Sequence, residues 1–158
     1  MGFNLNDMKT SSYKYDGWMQ VQKEITFNGT VSGAIGETGG SGDPFDIFTV
    51  TGDVKAKIVG IVTTTLSGAT ATLECGVTGD TAGIIAQATV SGAFVANQIW
   101  HDATPDTEIE LATVMVENII PNGLDVIGTT GTGNIDSGVI RFNCLWRPLS
   151  IDGNIVAA

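Results

Sequence analysis

From Val54 to Val77 the sequence "VKAKIVGIVTTTLSGATATLECGV" keeps returning to a two-residue rhythm. Val54, Ala56, Ile58, Gly60, Val62 and Leu66 fall on one parity, with Lys55 and Lys57 on the other. After Ser67-Gly68, residues Ala69, Ala71, Leu73, Cys75 and Val77 alternate with Thr70, Thr72, Glu74 and Gly76. Successive side chains of a strand point to opposite faces, so this period predicts strands with one face in a core. A glycine-bearing step between two such runs predicts a hairpin from Leu66 to Ala69. The same rhythm marks Met19, Val21, Ile25 and Phe27, broken only by Lys23, and it returns at Ile140, Phe142, Cys144 and Trp146. Shorter strands are expected at Ile47 to Thr51, "IIAQATV", "QIWHD" and "LDVIGTT". Residues 107–120, "TEIELATVMVENII", satisfy both helical propensity and β-branched content. The alternation of Ile109, Leu111, Thr113 and Met115 against Glu108, Glu110 and Ala112 favours mostly strand. Roughly eight to ten short strands separated by turns predict an all-β fold, a β-sandwich or jelly-roll-like barrel.

The 158 residues suit one domain with a real core. Residues 1–17, polar with the isolated aromatics Phe3, Tyr13 and Tyr15, read as an N-terminal arm, and 18–158 as a single β domain. "NGTVSGAIGETGGSGDP" is expected to be a long loop, or a short hairpin with a flexible tip. "MGFNLNDMKTSS" has no apolar h-region, so a cleaved signal is not expected. Asn6 departs from the myristoylation pattern. No apolar run reaches the length of a membrane helix. Cys75 and Cys144 each lie in an alternating apolar segment and read as small buried hydrophobes; a disulfide is possible but not indicated.

The formal charge is −10, and between Ile58 and Ile140 there are nine Asp or Glu and no Lys or Arg. All five lysines lie at or before Lys57, and Arg141 and Arg147 stand near the other end. Phosphate backbones are held by basic stripes that displace counterions, so nucleic acid is not an expected partner.

Catalytic chemistry has one place to start, "IWHDATPD", which holds the only histidine of the chain. A histidine base needs a nucleophile or an orienting carboxylate within hydrogen-bond reach. In an extended segment Asp102 would point away from His101, and no G-x-S-x-G elbow supplies a serine. The segment reads instead as a turn, with Asp106 capping the element after it. Zinc would need several His or Cys at close spacing, which the chain lacks. The acidic loops "GDPFD", "TGDTAG" and "GNIDSG" offer oxygens to calcium but match no EF-hand loop, and turn chemistry accounts for their composition. "GETGGSG" lacks the lysine of a phosphate loop. Asn28-Gly29-Thr30 matches a glycosylation acceptor that only a secreted chain would use. Trp18, Trp100 and Trp146 could line a sugar-binding face, although Trp100 and Trp146 occupy inward parities that suit core packing. No catalytic residue, metal or cofactor is expected.

The run "FTVTGDVKAKIVGIVTTTLSGATATLECGVTGDTAGIIAQATV", with "IWHDATPD" and "GVIRFNCLWRPLS", resembles the small auxiliary proteins that decorate tailed-phage heads. The likeness spans about residues 45–150 and includes no chemical motif. It implies a capsid cement or decoration protein: a β-sandwich or jelly-roll-like subunit on the outer capsid surface, bound to the major capsid protein. It also implies a homo-oligomer, with a trimer expected, and neither nucleic acid nor membrane as partner. The polar N-terminal arm is longer than in simpler members. Phe3, Tyr13, Tyr15 and Trp18 are the candidate partner contacts, because aromatics concentrate at interface cores; anchoring the arm to its own sandwich is the competing role. Two other readings are a carbohydrate-binding or adhesion module, which would show exposed coplanar tryptophans, and a hydrolase built on His101.

Overall fold

A computed structural model describes residues 17–158. Phe3, Tyr13 and Tyr15 lie outside the described residues, and Trp18 lies within them.

The strands run β1 (Met19–Phe27), β2 (Phe45–Thr51), β3 (Val54–Ser67), β4 (Thr72–Val77), β5 (Asp80–Thr89), β6 (Ile99–Trp100), β7 (Glu117–Ile120), β8 (Val126–Gly131), β9 (Ser137–Pro148) and β10 (Asn154–Ala157). They form two five-stranded antiparallel sheets, a β-sandwich. In the first sheet β9 lies between β1 and β3, and β6 and β7 share the far edge of β3. The second sheet has the order β10-β2-β8-β4-β5.

Periodicity located the strands because the core is built from their alternate residues. In β9, Ile140, Phe142, Cys144 and Trp146 are buried while their odd-numbered neighbours are not. β3 contributes Val54, Ala56, Ile58 and Val62, and the second sheet contributes Phe48, Leu73, Cys75 and Ile85. Trp100 is fully buried, with Phe94 and Phe142 edge-on to it at centroid distances of 5.1 and 6.1 Å. Gly60, paired across the ladder with both Trp100 and Phe142, makes room for this cluster. A Cβ at Gly60 would lie 3.3 Å from the Trp100 ring and 3.1 Å from Ile140. Lys23, the break in the β1 pattern, sends its amine to the Ala158 backbone oxygen.

Two expectations are corrected. Leu66 and Ala69 do not bound a hairpin: β3 pairs with β9, β6 and β7, β4 pairs with β5 and β8, and Ser67–Ala71 carries the chain from one sheet to the other. The hairpin is β4–β5, closed at Thr78-Gly79. Residues 107–120 are strand only at Glu117–Ile120, preceded by one 3-10 turn at Ala112–Val114. Alternation there has no core to serve, since Ile109 and Leu111 face solvent.

The glycine-rich connection is the long loop expected, with no hairpin in it, and it is built as a series of turns. Each third amide closes a turn on the carbonyl three residues back: Val31 on Asn28, Ala34 on Val31, Glu37 on Ala34, Gly40 on Glu37 and Asp43 on Gly40. Gly33, Gly36 and Gly39 take the positive φ that a type II turn demands at its third position. This ladder is fastened to the β8–β9 connection by Gly29 N–H to Ile135 O and Ile135 N–H to Gly36 O, each 2.8 Å, and by Asn134, whose amide donates to Gly29 O while its oxygen accepts from Thr38 N–H.

Candidate functional site

The His101 loop leaves β6 at Trp100 and folds back so that Ile99 and Asp106 exchange backbone hydrogen bonds of 3.2 and 2.8 Å. Because residues 101–104 bend, the strand rule that would separate His101 from Asp102 does not operate. Asp102 Oδ2 lies 3.8 Å from Nδ1, and Asp106 Oδ2 lies 2.9 Å from Nε2, off the line of a hydrogen bond. Asp102 Oδ1 also accepts from Thr104 N–H, so this carboxylate shapes its own turn. Carboxylate and imidazole atoms of all three residues fall within 4.8 Å of one another. The two carboxylates attend opposite nitrogens of the ring. No hydroxyl among the described residues is hydrogen-bonded to His101. The arrangement can pin a loop.

The first of the acidic loops uses its aspartate internally. Asp43 accepts Thr130 N–H at 2.8 Å on one oxygen and Gly39 N–H at 2.9 Å on the other. Cys75 and Cys144 are free and buried, as their parity implied. Burial pushes the Cys144 thiol up to about 12. Cys75 is raised further by burial and then by the neighbouring Cys144. Neither is a nucleophile at neutral pH.

A different constellation lies on the outer face of the first sheet. Outward residues of neighbouring strands align in rows, which sets Lys55 of β3 directly opposite Arg147 of β9 and places Lys57 one step along. Trp18, just before β1, completes the row. Its ring centroid is 4.6 Å from the Arg147 guanidinium carbon, 5.1 Å from Lys57 Nζ and 5.6 Å from Lys55 Nζ. Like charges opposed across a ladder repel. The ring face and Glu117, bonded to Lys55 at 2.9 Å, offset part of that repulsion. The Lys55 hydrogen bond, helped by the charges of Lys55, Lys57 and Arg147, holds the Glu117 carboxyl below its usual range. Of Lys23, Lys55, Lys57, Arg141 and Arg147, the five described cations, all but Lys23 face outward from this sheet. Sequence reading found Trp18 but missed the cluster, because Lys55 and Arg147 meet only through the β3–β9 pairing.

Beside this cluster runs a strap, residues 107–116, that crosses the outer face. Leu111, Ala112, Val114 and Met115 approach Val59, Ile61 and Ile99 of the sheet around a void of about 120 Å³. The strap and β7 leave Ile109, Leu111, Val116 and Ile119 at 87, 75, 65 and 72% exposure. Ile119 also borders a cleft of about 240 Å³ between β5 and β7, where Val77, Ile84 and Leu124 are found. Scattered surface aliphatics are ordinary in a monomer, but a contiguous group of them marks a contact surface.

Trp100 and Trp146 are core residues, and Trp18 is the one tryptophan at the surface. Among the described residues, no helix is long and apolar enough to cross a membrane. Comparison with protein-family models, curated proteins and solved structures gives no match to this chain.

Proposed function

We propose that this chain is a structural virion protein that decorates the outer surface of a phage capsid and stabilises it by bridging coat subunits, acting as a homo-oligomer. The observation that carries the reading is the set of exposed aliphatics on the strap and β7, Ile109, Leu111, Val116 and Ile119, on the same sheet as the Trp18 cation cluster. The resemblance of residues 45–150 to phage decoration proteins points the same way.

Magnitudes explain why such a protein would work by multiple attachment. Covering one large aliphatic contributes about 1.5–3 kcal/mol, so four contribute roughly 6–12 kcal/mol. Association costs about 4–15 kcal/mol in lost freedom. One such set alone therefore binds weakly, and several linked sets bind durably through effective concentration. A glycan-binding module would need aromatic platforms, yet two tryptophans are buried and the third faces three cations. That observation favours assembly over sugar recognition.

The test is co-sedimentation of full-length protein with undecorated tailed-phage capsids assembled from the coat protein of the same source. Saturable, symmetric decoration and a capsid more resistant to heat are expected. A folded protein that leaves those capsids bare would refute the reading.

A further inference from the structure

We propose that the outer face of the first sheet is a self-association surface, on which the acid-flanked apolar strap of one copy docks against the Trp18–Lys55–Lys57–Arg147 cluster of a second copy. This deepens the assembly reading by naming the surface through which copies meet.

Charge selects the occupant. At −10, two copies of the chain repel over most of their approach. Attraction requires a place where the sign reverses, and four of the five described cations stand on the outer face of this sheet. On that face Lys55 stands opposite Arg147, with Lys57 one step along, so positive charge is concentrated there. The spot already holds one carboxylate, that of Glu117 at 2.9 Å from Lys55.

The strap has the complementary chemistry. Glu108 and Glu110 form no ion pair among the described residues, and they alternate with the exposed Ile109 and Leu111. Carboxylates of the strap would meet the cations, and exposed aliphatics of the strap and β7 would pack on the lysine stems, whose methylenes provide apolar area. Strap and cluster are different patches, so each copy offers both halves of the contact and can serve as donor and acceptor at once.

The experiment uses full-length protein and sedimentation equilibrium at low and high salt. Wild-type chain should associate, more weakly as salt rises. Two charge-reversed variants, Glu108→Lys/Glu110→Lys and Lys55→Glu/Lys57→Glu, should each lose self-affinity by about a hundredfold, since opposed like charges cost several kcal/mol at an interface. Mixing the two variants should restore association, because each carries the half that the other lacks. All substituted side chains are at least partly exposed, and an unchanged far-ultraviolet spectrum and melting temperature establish that the variants fold. A monomeric wild type, variants that still self-associate, or a mixture that stays monomeric would each overturn the proposal. Capsid binding is read separately: monomers that decorate capsids sink this surface and spare the assembly reading, whereas oligomers that ignore capsids do the reverse.

Discussion

Alkaline titration tests the packing of the two sheets directly, because each sheet places one thiol in the shared core. A thiol in an unfolded chain ionises at a pKa of about 8.5. In the folded chain Cys144 is pushed up to about 12 and Cys75 higher still. Between those limits the unfolded state releases two protons that the folded state keeps. Stability then changes with pH in proportion to protons bound unfolded minus protons bound folded, which is negative here, so stability falls as pH rises. Each cysteine contributes a slope of about 1.4 kcal/mol per pH unit, and the pair about 3. Over two units the loss is about 5–6 kcal/mol, comparable with the whole stability of many domains of about 5–15 kcal/mol. Tyrosines and lysines titrate in the same range, so the comparison is with Cys75→Ala/Cys144→Ala. That variant should start about 2–3 kcal/mol less stable at neutral pH and then decline more gently. The assay is urea unfolding under reductant at several pH values from about 8 to 11, followed by the fluorescence of buried Trp100 and Trp146. Parallel stability curves for the two proteins would refute the claim that both thiols are sealed in the core.

Trp100→Ala should cost about 3–5 kcal/mol in urea unfolding, because it empties the space between Phe94 and Phe142; a loss under about 1 kcal/mol would contradict that packing. Gly36→Ala should cost more than Gly39→Ala. Both positions have positive φ, worth about 1–2 kcal/mol for any residue with a Cβ, but at Gly36 that Cβ would also strike the Ile135 carbonyl oxygen, while at Gly39 it meets open space. Faster hydrogen exchange at the Gly29 and Ile135 amides in Gly36→Ala alone is the expected signature. His101→Ala and Asp106→Asn should each lower stability, Asp106→Asn by no more than about 1 kcal/mol, by loosening the 99–106 loop, and a hydrolytic activity lost in His101→Ala would instead establish catalysis.

Strands were legible where alternation is enforced by burial, as in β3 and β9, whose inward parities came directly from the sequence. Their partners were not legible, since a period of two states which residues face inward and is silent about which strand lies alongside. The Leu66 to Ala69 hairpin failed for that reason: Ser67-Gly68 is good turn chemistry, and a step between sheets uses the same residues. The turn ladder had a readable signal in the three-residue spacing of Gly33, Gly36 and Gly39, obscured by the general abundance of glycine. Residues 107–116 misled because apolar alternation looks the same whether or not a core receives it. The His101 prediction assumed extended backbone, and a bend after Trp100 brought both aspartates to one ring.

The position of β9 governs the order in which this chain can acquire structure. β1 and β3 both find their long ladders on a strand that begins at Ser137, so during synthesis they leave the ribosome well before their mate exists. Pairings so distant in sequence make for slow folding, and meanwhile two sticky, unzipped segments wait in a crowded cell. The β4–β5 hairpin can close early and alone. High-level expression should therefore be limited by trapping of nascent chains, and slower translation or a lower growth temperature should raise the soluble yield.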